Sequence, residues 1–238
     1  MSTAQLRAFL HAASGHDTQQ KLLALLRETA QPVAVVTSFM TGPPGSSARS
    51  KRVFHGATLS SFTSIAMDPH PLVTFALRLP SRMATALESA EPDAPSHMVV
   101  NLLCAEQAAL AVKFSRPDLY PEPFKSAPYT LTEEGLPVLE GSLGALSCKL
   151  VSSPLPLHDL QYLRQYGKST GTASCKGRSL EDGVTSELFI AQVVRVEDLP
   201  MSEGQQDAPR TLPLLYHRRG YTSCQGLHSY TKSSQNPT

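Results

Sequence analysis

Between Thr58 and Ser64 the chain carries hydroxyl side chains at Thr58, Ser60, Ser61, Thr63 and Ser64, with Leu59, Phe62 and Ile65 threaded among them. An isolated serine in a strand ordinarily satisfies a neighbouring backbone group. A cluster this dense on an apolar, extended segment predicts that something polar docks on it. Small neutral hydroxyls and strand N–H groups both donate and accept, which suits a heteroaromatic ring with imide oxygens and a ribityl chain. Further on, Leu79 to Arg82 reads LPSR. With Ser81 capping the helix SRMATALESA, the first-turn N–H groups, the Ser81 hydroxyl and the Arg82 guanidinium converge on an anion, most simply a phosphate. A hydrogen bond to a charged group contributes about 1.5–3 kcal/mol, against about 0.3–1 kcal/mol for an exposed helix N-terminus. Arg82 therefore carries more of the expected anion affinity than the helix does.

The elements that must hold these residues read as follows. Asp17 caps DTQQKLLALLRETA, whose leucines 22, 23, 25 and 26 form an apolar stripe of helical spacing that Pro32 ends. Strands are expected at Val33 to Phe39, Val53 to Ser64, Leu72 to Leu77, His97 to Leu103, Gly144 to Val151, Glu187 to Leu199 and Leu214 to Tyr221. Loops fall at TGPPGSSARSK and MDPHP, and helices at SRMATALESA and AEQAALAVKFS. Helices are too few to sit between every pair of strands, so a barrel or sandwich fits better than a βαβ nucleotide fold. Pro154 to Ser186, rich in Gly and Ser around a short helical stretch, reads as an insertion, and the polar tail 226–238 as disordered. The organisation expected is a segment 1–16, a domain over 17–225 with the insertion at about 154–186, and the tail.

Composition narrows the function. Of 238 residues, 21 are Lys or Arg and 20 are Asp or Glu, and the net charge of +1 offers no field for nucleic acid or an anionic membrane. Cys104, Cys148, Cys175 and Cys224 are widely scattered, without the spacing of a metal site, which points to a reduced, intracellular setting and no metal. No window is long and apolar enough for a spanning helix, and no secretory signal opens the chain. A cytoplasmic location is expected, with the weakly basic N-terminus leaving a mitochondrial presequence open.

GATLSSFTSIAMDPHPLVTFAL, then PSR, VVNLL with AEQAALAVKFS, GLPVLEGSLGALSCKL and LPLLYHRRGY occur in that order. Together they resemble the flavin reductase-like family of FMN-binding split barrels, in register from about Arg27 to Tyr221. The resemblance implies a mainly β, six-stranded antiparallel Greek-key split barrel with a few flanking helices. It further implies a homodimer, FMN as cofactor, NAD(P)H as electron donor, and a monooxygenase as a partner for reduced flavin. It places the flavin along Thr58, Ser60, Ser61, Phe62, Thr63 and Ser64 and the phosphate near Ser81 and Arg82. Asn101 is either a cofactor neighbour or the satisfier of a strand end. Tyr216, Arg218, Arg219 and Tyr221 match the family's last strand, with a solvated basic edge strand as the other reading, and Phe114 packs as core. Catalysis needs no side-chain acid, because the cofactor carries the chemistry.

One block departs from the family. Aligned on Phe189, a block that commonly reads G-D-H-x-x-F-x-G here reads VTSELFIAQ, so Ser186 stands at the histidine and Ala191 at the last glycine. His158 beside Asp159 reads as a surface pair and His55 as a partly buried strand residue. This departure motivates a rival reading, a non-catalytic FMN-binding protein whose insertion contacts a macromolecule. A third is an oxidase of the pyridoxamine-phosphate type.

Overall fold

The computed structural model describes residues 17–40, 52–165, 185–198 and 212–224. The segment 1–16, the expected loop at 41–51, residues 166–184 of the expected insertion, and the expected tail lie outside the described residues. Helix α1 (17–27) precedes β1 (Gln31–Pro32) and β2 (Ala34–Met40). Then come β3 (Val53–Leu59), β4 (Thr63–Ala66), β5 (Leu72–Leu79), α2 (Arg82–Glu88) and β6 (Met98–Leu102). A 3-10 turn, Ala105–Gln107, opens α3 (Ala108–Ser115), and β7 (Tyr129–Leu131) pairs with β8 (Pro137–Leu139). The remaining elements are β9 (Gly144–Leu150), β10 (Leu155–Pro156), α4 (Leu160–Gln165), β11 (Thr185–Glu197), β12 (Leu214–His217) and β13 (Gly220–Ser223).

The main sheet runs β3-β2-β6-β9-β11-β5-β4, with β10 beside β11. Its pairings are antiparallel, so the chain is mainly β as expected. The strand count differs from the six of the family barrel: this sheet has eight strands, and β1-β12-β13 and β7-β8 form two smaller sheets among the described residues. Two expected strands are each divided. Val53 to Ser64 breaks at Ser60–Phe62 into β3 and β4, which stand at opposite ends of the main sheet. Leu214 to Tyr221 is a hairpin whose two turn residues, Arg218 (φ 49°) and Arg219 (φ 67°), both occupy the left-handed region. A two-residue hairpin needs that geometry to match strand twist, and Asn-Gly is its usual sequence, so two arginines give no warning of it. The turn is docked instead: Arg218 N–H donates to Arg27 O at 3.1 Å, and its guanidinium pairs with Glu28.

Alternation along β5 sends Val73, Phe75 and Leu77 inward and leaves Thr74, Ala76 and Arg78 facing out. Inside the curled sheet Phe75 stacks on Phe189 of β11, ring centroids 5.4 Å apart and planes 5° from parallel. Met83, Ala84 and Leu87 of α2 plug the same core. Val33 to Val36 is apolar at every position because β2 divides two cores. Ala34 and Val36 face the barrel, whereas Val33 and Val35 face a second cluster with Phe114, Leu139 and Leu214. The leucine stripe of α1 forms at the expected spacing, yet Leu22, Leu23, Leu25 and Leu26 are all exposed. No helix of the described residues is long and apolar enough to cross a membrane.

His97 is buried just ahead of β6, and its Nδ1 accepts a hydrogen bond from Leu150 N–H at 3.1 Å. Burial, with Lys149 acting the same way against the Glu91 backbone, holds its pKa below the ordinary 6.5. The unfolded chain therefore takes up this proton more readily, and the stability His97 contributes is present above about pH 6.5 and lost as pH falls below it. Thermal melts at pH 7.5 and 5.5 should show a lower midpoint in acid. In His97→Gln, whose amide oxygen can still accept from Leu150, that difference should shrink.

Candidate functional site

A cavity of about 1300 Å³ opens between β3, the Ser60–Ser61 crossing, β5, the start of α2, and α3 with the segment beyond it. Of the residues expected from sequence, it gathers Thr58, Ser60, Ser61, Ser81 and Arg82. Phe62, Thr63, Ser64, Asn101 and Tyr221 do not line it.

The hydroxyls have different occupations. Thr58 Oγ donates to Ala111 O at 2.7 Å and so ties α3 to β3. Ser61 Oγ accepts from Ala76 N–H at 2.9 Å and donates to Ala76 O at 3.3 Å, acting as a false ladder partner where the chain crosses the open edge of β5. Ser60 is exposed and has no hydrogen-bond partner among the described residues, so its hydroxyl faces the cavity uncommitted. Thr63 and Ser64 are exposed on edge strand β4, and Phe62 packs against the barrel core. Ser81 does cap α2, accepting from Ala84 N–H at 3.3 Å, which commits its oxygen to the helix.

The charges are divided as well. Beyond α3, Asp118 is paired with Arg116 and Glu122 with Lys125. Arg52 donates to Glu134 O and lies over the Phe39 ring at 4.5 Å. Arg78 and Arg82 also line the cavity but have no carboxylate partner among the described residues. Arg52 and Lys113 likewise lack a carboxylate but are held by the Glu134 carbonyl and Ser126 Oγ, so the two guanidiniums without a hydrogen bond among the described residues stand where β5 turns into α2. His55 of β3 lines the cavity too; burial, and next the Arg82 guanidinium, push its imidazole below the usual histidine range.

The opposite wall is aromatic. Phe124 meets Phe114, Phe54 and Tyr129 with centroids 5.0, 5.7 and 5.5 Å away, and all four line the cavity. Phe114 is nonetheless buried in the second core, as expected. A Cβ at Gly56 would lie 2.7 Å from two Phe114 ring atoms, so glycine is what lets the ring rest on β3. No local sequence pattern assembles this wall, since its rings come from β3, α3, the turn after α3 and β7. Gly56, in FHGATL, was the one local signal of a close approach.

Asn101 belongs to the architecture. Fully buried, its Nδ2 donates to Val35 O (3.1 Å) and Thr37 Oγ (3.2 Å), and its Oδ1 accepts from Leu139 N–H (2.8 Å). It thereby clamps β6 to β2 and β8. Asn101→Ala should reduce unfolding free energy in urea by about 1–3 kcal/mol for the stranded Leu139 N–H alone. Tyr221 packs edge-on to Tyr216 at 5.6 Å, and its hydroxyl meets Ser115, a cavity residue, so it backs the wall. Ser186, at the family's histidine position, does face the cavity. Asp159 caps α4, its Oδ1 accepting from Tyr162 N–H at 2.9 Å.

Comparison with known proteins bears on this geometry. FMN reductase (NADH) SmoA of Agrobacterium fabrum is 30% identical over 94 residues, covering 40% of this chain and 49% of that protein. The chain spans about half the length of the curated relatives it matches. Among solved structures, the NADH:FAD oxidoreductase SgcE6 of Streptomyces globisporus, in complex with NAD and FAD fragments, superposes with a TM-score of 0.57. It is 19% identical, with 89% of this chain and 95% of that one covered. BorF, the flavin reductase component of a bacterial two-component tryptophan halogenase, gives a TM-score of 0.54 at 19% identity, covering 88% and 99%. These two show likeness of fold. The family described as "Flavin reductase like domain" matches residues 26–225, nearly the whole of the sheet and cavity described above, and the chain belongs to that family.

Proposed function

We propose that this protein is an FMN-binding oxidoreductase that passes hydride from NAD(P)H to flavin. The observation that carries the reading is the set of groups lining one cavity: two guanidiniums without a hydrogen-bond partner among the described residues, neutral hydroxyls with strand backbone, and a cluster of aromatic rings. That donor set fits FMN, which joins a phosphate to a flat, amphipathic ring. Bound there, flavin would supply the hydride acceptor itself. Arg82 and Arg78 hold the phosphate, Ser60 and the β3 backbone offer hydrogen bonds to the ring and its side chain, and the Phe54–Phe124–Tyr129 wall keeps water from the reacting faces.

A homodimer accords with the exposed leucines of α1 and a cavity that lies along the edge strand β3, and we infer a cytoplasmic location. Reduced flavin released from the cavity would serve a monooxygenase partner. Ser186 favours a second reading, an FMN protein without reductase activity, because no imidazole stands at that cavity position. The absorbance spectrum of purified protein, before and after NADH or NADPH, separates them. Bleaching of bound or added FMN with nucleotide oxidation supports the reductase. A yellow protein inert to both nucleotides supports the second reading, and a protein that binds no FMN defeats both.

A further inference from the structure

His55 has no part in the flavin chemistry outlined above, yet it lines the same cavity as Arg82, on β3, which packs against α2, and its ring lies near enough to feel the Arg82 charge. Its ring has no hydrogen-bond partner among the described residues. We propose that His55 is a proton-coupled member of this anion site, so that a dianion held by Arg82 and Arg78 draws a proton onto the imidazole. The proposal deepens the FMN reading by assigning its phosphate end a third ligand, but it concerns the anion alone.

Charge compensation couples the anion to the proton. Burial, and next the Arg82 guanidinium, disfavour a positive charge on the imidazole. A dianion between them offsets Arg82 and attracts the imidazolium directly, so occupancy reverses the balance. The other charged groups around the cavity leave this intact. Asp118 and Glu122 are already ion-paired with Arg116 and Lys125, Lys113 donates to Ser126 Oγ, and Arg52 is held by Glu134 O and the Phe39 ring. Arg78 adds positive charge and strengthens the effect of an anion. A protonated His55 would then have a charge-assisted hydrogen bond to donate.

Sulfate is the suitable probe, because it remains a dianion throughout the histidine range whereas a phosphate monoester itself titrates near pH 6. Each unit by which the anion raises the His55 pKa makes the protonated site about tenfold tighter. We expect full-length protein to bind sulfate about tenfold more tightly at pH 5.5 than at pH 8 by calorimetry. His55→Gln should reduce that ratio to below about twofold. By NMR of the histidine ring carbons, the resonance absent from His55→Gln should titrate at higher pH when sulfate is added. Arg82→Gln supplies a check that leaves His55 in place: its imidazole should titrate at higher pH before any sulfate is present, and sulfate should move it less. An undiminished pH dependence in His55→Gln, or a His55 midpoint indifferent to sulfate, overturns the proposal. If sulfate behaves as expected in a protein that neither binds FMN nor oxidises NADH, the anion site stands and the flavin reading falls.

Discussion

Arg82→Ala is expected to raise the FMN dissociation constant about ten- to 150-fold, the equivalent of about 1.5–3 kcal/mol for a hydrogen bond to a charged group. The expectation rests on location and freedom. Arg82 lines the cavity, is exposed, and has no carboxylate partner among the described residues, so its guanidinium is not withdrawn from another task. Ser81 Oγ is spent on capping Ala84 N–H, and α2 has only seven residues, which leaves most of the anion affinity to side chains. Stability should change little, because alanine is the better helix former at this exposed position. Riboflavin, which lacks the phosphate, should bind both proteins about equally. Arg82→Lys should fall between the two, keeping the charge but losing the planar fork. Fluorescence titration provides the numbers, and an unchanged FMN constant in Arg82→Ala would remove this residue from the site.

What the sequence disclosed was governed by whether a signal was local. The Ser81 cap, the inward rhythm of β5 and the apolar run of β2 each follow from neighbours along the chain, and each is in the structure. The hydroxyl cluster was visible, but its purpose was not. A serine that reaches into a cavity and one that reaches the backbone of the next strand look identical in a string of letters. Ser60 does the first, while Thr58 and Ser61 hold α3 and β5 in place. Asn101 kept two readings open until its three buried hydrogen bonds gave it a place in the frame. His55 is the partly buried strand residue that its sequence suggests, but the surface it shares with Arg78 and the rings of Phe124 and Tyr129 exists only after the sheet has curled. The division at Ser60–Phe62 has a faint local mark: Leu59, Phe62 and Ile65 recur at every third position rather than every second, which one continuous strand would not need, and the crossing to the far edge of the sheet separates β3 from β4 there.

Phe189→Ala should have the complementary outcome, a loss of about 3–5 kcal/mol in unfolding free energy with little change in the FMN affinity of the protein that remains folded. Phe189 is fully buried, lies directly opposite Phe75 in the β5–β11 register, and stacks on it at 5.4 Å. Removing one ring of that pair leaves a face of the other bare at the centre of the barrel. The surrounding side chains sit on strands already paired on both sides, so they cannot collapse to fill the space. Ser186, three residues earlier on β11, looks outward to the cavity, and the barrel wall stands between the two. Urea denaturation should therefore shift its midpoint at constant slope, whereas FMN titration below that midpoint should stay within about twofold of the unaltered protein, under 0.5 kcal/mol. Set beside Arg82→Ala, this dissociates affinity from stability. A Phe189→Ala protein that lost FMN binding while keeping its urea midpoint would mean that β11 turns the other face to the ligand.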